Sequence, residues 1–118
     1  MANPYEHLWK LPYHVKMELH DVLNANENWK RMAALKFRCS DNEILRMKTE
    51  GMKPNNSAGE AMLLWAENRA TTTDTLFRYF HDLNLMRATI ILQDYVSPGL
   101  RMFAHVPPPH AMVCMTSN

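Results

Sequence analysis

The chain has 118 residues, 47% of them apolar and 21% charged, the make-up of one globular domain. A net charge of +1 draws it in bulk to neither nucleic acid nor an anionic membrane, and two widely separated cysteines, Cys39 and Cys114, exclude a disulfide framework or a paired-cysteine zinc site. No apolar run approaches the ~18 residues of a membrane span, and the polar, aromatic N-terminus lacks the basic-then-apolar build of a signal peptide, so a reducing, cytosolic setting is expected.

Residues 1–4 are expected to fray. Tyr5, Leu8 and Leu11 suggest a short turn laid over the domain. Pro12 suits the first position of a helix, and Val15, Leu19, Val22 and Leu23 give it one apolar face, so helix 1 is expected from Pro12 to Leu23. Asn26 is the expected N-cap of helix 2, whose face is Trp29, Met32, Ala33 and Phe37, with Lys36 intruding on the stripe. Ser40 and Glu43 form a capping box for helix 3, expected from Asp41 to Glu50 with Ile44 and Met47 inward and Gly51 as C-cap.

Ser57 and Glu60 form a second box. Helix 4 then carries Ala58, Ala61, Met62 and Trp65 on one stripe, with Leu64 flanking it and Leu63 pointing away. Thr71 to Asp74 cap helix 5, which buries Leu76, Phe77, Phe80 and Leu83. Asn84 is placed to cap helix 6, which turns Leu85, Ala88, Ile91 and Leu92 inward, and Ser97-Pro98-Gly99 ends it. Leu100 to Phe103 pack weakly, and from residue 104 to 118 the proline-rich chain reads as a linker or tail. The expectation is an all-α chain of six short helices sharing one core, since helices of this length are not stable alone. That core is expected to hold Leu19, Val22, Trp29, Ala33, Ile44, Met62, Trp65, Leu76, Phe80, Leu85 and Ile91.

Several of these stretches together resemble one family. Trp29 with Met32-Ala33 is similar to the Trp-x-x-Leu-Ala signature that opens helix 2 of death domains. Ile44 after the Ser40 cap resembles the family's Glu-Ile in helix 3, Met62-x-x-Trp65 its Leu-x-x-Trp in helix 4, and Thr75-Leu76 with Phe80 and Leu83 its helix 5. LPYHVKMELHDVLNANENW, SAGEAMLLWAENRATTTDTLF and LNLMRATIILQDYV resemble the branch that holds the Pelle and interleukin-1-receptor-associated kinases and the adaptor Tube. Caspase-recruitment and death-effector domains share the implied fold.

The resemblance implies an antiparallel six-helix Greek-key bundle over residues 5–103. It implies a cytoplasmic interaction module, recruited to receptors at the membrane in a Toll or interleukin-1-receptor type pathway of innate immunity, that assembles with other death-domain proteins or with itself. It implies no cofactor, and the chain holds no glycine-rich loop, catalytic-Asp motif or Asp-Phe-Gly, so a kinase domain would lie outside it. A Pelle-like kinase and a kinase-less, Tube-like adaptor are both compatible.

Charge supplies the candidate contact residues. Arg38 and Asp41 bracket the corner between helices 2 and 3. Glu43, Arg46, Lys48 and Lys53 lie on helix 3 and its loop. Glu67, Arg69 and Asp74 mark the step from helix 4 to helix 5. Corners of opposite sign set register and partner choice in a protein contact, and Leu63 beside them is a candidate apolar anchor. Acidic residues interrupt the basic ones on helix 3, against a nucleic-acid recognition helix, the other class a helix-turn-helix silhouette suggests. The six histidines show no metal-ligand spacing. Cys39 has Arg38 beside it and a helix start after it, which would lower its pKa, but no base or oxyanion site accompanies it.

Overall fold

The computed structural model describes residues 5–109. The expected frayed start at residues 1–4, and the tail from residue 110 on with Cys114 and His110, lie outside them. Among the described residues the chain is helical throughout, apart from one isolated bridge between His7 and Thr72.

Helix α1 (Tyr13–Asn24) buries Val15, Leu19, Val22 and Leu23, the face read from their spacing. Pro12 stands one position earlier than expected, as N-cap rather than first helical residue. A 3-10 turn, Ala25–Glu27, follows, and in it Asn26 and Glu27 both take left-handed backbone, with φ of 52° and 55°. Asn26 is therefore the reversal itself and not the N-cap of helix 2. Helix α2 (Asn28–Arg31) runs straight on into a π-helical turn, Met32–Lys36. The Phe37 amide donates to Met32 O at 3.1 Å, five residues back, which widens the turn. Trp29, Met32 and Ala33 are buried, while Phe37 sits half-buried at the end.

Helix α3 (Asp41–Gly51) starts on both halves of the Ser40–Glu43 box. Met47 is its buried residue and Ile44 packs partly against the core. Gly51 is helical and not the expected left-handed cap. It is a glycine because a Cβ there would lie 2.4 Å from the Ala58 amide nitrogen. Helix α4 (Ala58–Asn68) has Ser57 accepting from the Glu60 amide at 3.1 Å, so only one half of the second box forms. Asn24 supplies another cap from α1, its Oδ1 accepting from the Gly59 amide at 2.8 Å.

That approach sets the rotation of α4. Gly59 lies against Leu23 and Asn24, so its buried face is Gly59, Met62, Leu63 and Ala66. Leu63 is 1% exposed and Leu64 54%, the reverse of the expected arrangement, and Trp65 is half-buried at the edge.

Helix α5 (Thr73–Asp82) is capped by Thr72, which accepts from the Thr75 amide at 3.1 Å, and buries Leu76, Phe77 and Phe80. Leu83 is partly buried. The N-terminal segment lies over the start of α5 as a strap: the Thr73 amide donates to Glu6 O at 2.8 Å, Tyr5 meets Tyr95 edge-on, and Leu8 and Leu11 are buried. Asn84, with φ 58°, closes α5 instead of capping α6, and the Leu85 amide donates back to Phe80 O at 2.9 Å. Helix α6 (Met86–Leu92) buries Ala88, Thr89 and Leu92, with Leu85 and Ile91 only partly covered.

A short α7 (Pro98–Arg101) leads to Ala104, which is wholly buried, and the Thr89 hydroxyl donates to its carbonyl at 2.7 Å. His81 Nε2 donates to Val106 O at 2.6 Å and His105 to Gln93 Oε1 at 3.2 Å. The packed body thus extends past residue 103, and the segment read as linker begins as a docked strap. Helices α1 to α6 share one core: α4 packs on α1 and α3, α6 on α1 and α5, and α2 on α1 and α4.

Candidate protein-interaction site

A groove of about 340 Å³ lies between α3 and α4. Its floor is Met47, Ala61 and the half-buried Trp65, and Leu64 forms an apolar lip. Its walls are charged. Glu43 does two jobs: its Oε1 accepts from the Ser40 amide at 2.9 Å, and its Oε2 from Arg69 Nη2 at 3.0 Å. The Ser40 amide bond, helped by Arg69, holds the Glu43 carboxyl below its ordinary range. The Arg69 guanidinium carbon lies over Trp65, 4.2 Å from the ring centroid, and both residues line the groove.

Aromatic contacts link this groove to α5. Phe37 meets Trp65 edge-on at 5.3 Å and Tyr79 at 5.1 Å. Lys36, the residue that intruded on the helix 2 stripe, reaches Asp82 at 2.9 Å and lies 6.0 Å from the Tyr79 ring. The π turn resolves the apparent conflict: it carries Lys36 to the edge of the core, where its charge finds a partner. Below the same corner Cys39 is half-buried. Burial, then Glu43, push its thiol pKa up, so the helix start and Arg38 do not activate it.

The groove gathers Glu43, Arg46 and Arg69 from the charged residues singled out in sequence. Lys53 pairs with Glu50 at its edge, 2.9 Å apart. Arg38, Asp41 and Lys48 are exposed and make no ion pair among the described residues. Two others are held within the bundle. Glu67 pairs with Lys16 at 2.9 Å, linking α4 to α1. The Asp74 carboxylate accepts from both the amide and the hydroxyl of Ser97, tying α5 to the start of α7. Leu63, expected as an outward anchor, is core, because the Gly59 approach turns it inward. Leu64 takes the outward place, and the signal that could have found it was the small Gly59 at i−4 of Leu63, marking the side of α4 that lies against α1.

A second exposed apolar cluster was not anticipated. Trp9 is 61% exposed and Tyr13 77%, with Met17 one turn beyond. His7 stacks on the Trp9 ring, and Lys10 lies 5.2 Å from its centroid. Among the described residues no helix is long and apolar enough to cross a membrane.

Among the described residues this is an all-helical bundle that carries a groove lined by charges of both signs and by apolar side chains. The chain is similar to the serine/threonine-protein kinase pelle of Drosophila melanogaster, with 25% identity over 93 residues, 79% of this chain and 18% of that protein. It therefore spans less than a fifth of the relative it matches. No family model matches the chain, and no solved structure does.

Proposed function

We propose that this chain is a death-domain interaction module of a Pelle-related signalling protein, folded as the antiparallel Greek-key bundle of that family. Its work is assembly: it docks on the death domains of other proteins, or on copies of itself, and so gathers signalling partners in the cytoplasm and at receptors. It does no catalysis; a kinase domain, where the protein carries one, follows it, and a kinase-less Tube-like adaptor is the alternative architecture. The observation that carries this reading is the similarity to pelle along most of a chain that folds as one six-helix bundle.

The groove supports it. Its charges of both signs suit a protein partner better than a polyanion, and asymmetric contacts between unlike faces propagate head to tail instead of closing in a dimer. Several weak contacts then act together through effective concentration. The test is capture from cytosolic extract with wild type and Arg46→Glu as bait, read by mass spectrometry. A death-domain adaptor or kinase retained by wild type and lost with Arg46→Glu, at equal melting temperature, is the expected result. Nucleic-acid proteins, or nothing above background in both, would remove the signalling assignment.

A further inference from the structure

The contacts inside the α3–α4 groove leave a specific charge pattern open. Arg69 is taken by Glu43 and Trp65, and Glu50 by Lys53. Arg46 on the α3 wall and Glu60 on the α4 wall make no ion pair or side-chain hydrogen bond among the described residues, and both line the groove. Met47, Ala61, Leu64 and Trp65 are the apolar part of the same lining. We infer that this groove takes a short helical segment of a partner protein that presents one aliphatic side chain flanked by a carboxylate and a basic group. The inference rests on the reading of this face as a protein contact and adds the chemistry of what occupies it.

Size and charge narrow the occupant. A volume of about 340 Å³ is at the low end of the 300–1,000 Å³ of concave ligand sites, room for the side chains of one helical turn and not for a helix body. A phosphate backbone would place its charges against Glu43, Glu50 and Glu60. A polybasic segment would meet Arg46 and Arg69. A mixed-charge turn satisfies both walls: its carboxylate reaches Arg46, its basic group reaches Glu60, and its aliphatic side chain covers Trp65 and Leu64. On a helix these three groups share one face when spaced three or four residues apart, the helix-in-groove mode of recognition.

The test uses three labelled, alanine-rich helical peptides of about 20 residues, beyond the ~12–15 below which isolated helices are marginal, each with a central leucine. One is flanked by Glu and Arg, one by Glu alone, one by Arg alone. Binding is followed by fluorescence anisotropy with the full chain. The mixed peptide is expected to bind about tenfold tighter than either other peptide. Arg46→Glu should move the preference to the Arg peptide with the melting temperature unchanged, and Glu60→Lys to the Glu peptide with a small loss of melting temperature, because a cation in the first turn of α4 opposes the helix dipole. Equal binding of all three, no binding, or a preference that survives both substitutions overturns the inference. So does concentration-dependent self-association that Leu64→Glu abolishes, which would give the groove to a second copy. Loss of a captured partner with Arg46→Glu, without the peptide preference, would leave the assembly reading standing and remove this one.

Discussion

Three asparagines at alternate positions between α1 and α2 do three different things. Asn24 caps α4 from across the bundle, Asn26 takes the left-handed backbone of the reversal, and Asn28 is buried, its amide donating to Val22 O at 2.9 Å. That last bond satisfies a carbonyl in the final turn of α1 that would otherwise lack a partner in the core. Neighbouring leucines on α4 are equally unlike. Leu63→Ala should cost ~2–5 kcal/mol by chemical denaturation, as a buried leucine does, whereas Leu64→Ala should stay within about 0.5 kcal/mol. Equal effects would contradict the rotation assigned to α4. His20 sits at the α1–α4 seam. Burial lowers its pKa below 6.5 and outweighs Glu60, Asp21 and Glu67, which raise it, while Lys16 adds to the lowering. The unfolded chain then binds the proton more readily than the fold. This group's contribution is intact above about pH 6.5 and is lost as pH falls through the depressed pKa. His20→Gln should therefore lose less melting temperature than wild type between neutral and mildly acidic pH. A steeper loss would contradict the sign.

At the scale of elements, the helix ends carry most of what makes this bundle particular. Helix α4 closes with Ala70 at φ 57°, and the Thr71 amide donates to Ala66 O at 3.1 Å, a C-terminal motif usually built on glycine. A Cβ in that conformation costs about 1 kcal/mol, so Ala70→Gly should raise stability by roughly that amount; no gain on thermal unfolding would show that the turn relaxes. How far these elements could be read from sequence follows from how local their causes are. The faces of α1 and α5 and the Ser40 box depend on residues within one turn of each other, and their pattern is visible in the chain. The rotation of α4 depends on Gly59 meeting Leu23 and Asn24, a contact between distant segments, so Leu63 and Leu64 exchange places. The π turn at Met32–Lys36 shifts Lys36 off a stripe that an ideal 3.6-residue period places in the core. Asn84 has the polarity of an N-cap and the conformational tolerance of a C-terminal closer, and only the fold decides between them. In the groove, Glu43, Arg46 and Arg69 were legible as charge, but Trp65 as their shared floor and Asp74 as an internal clamp were not.

At the scale of the molecule, both ends of the described chain are fastened to α5 and α6. Tyr5 to Leu11 strap the start of α5, and Ala104 to Val106 are held by Thr89, Gln93 and His81. The opposite arrangement holds at α3 and α4, where a groove stays open and its walls keep Arg46 and Glu60 unpaired among the described residues. The most direct test of an interaction module working through that groove is amide exchange on the protein, free and bound to the partner captured from extract. Protection should rise on α3 and α4 around Glu43 to Arg69, and Arg46→Glu should abolish it without changing exchange in the free protein. Protection confined to α5, α6 and the two straps, with α3 and α4 exchanging as before, would contradict the account.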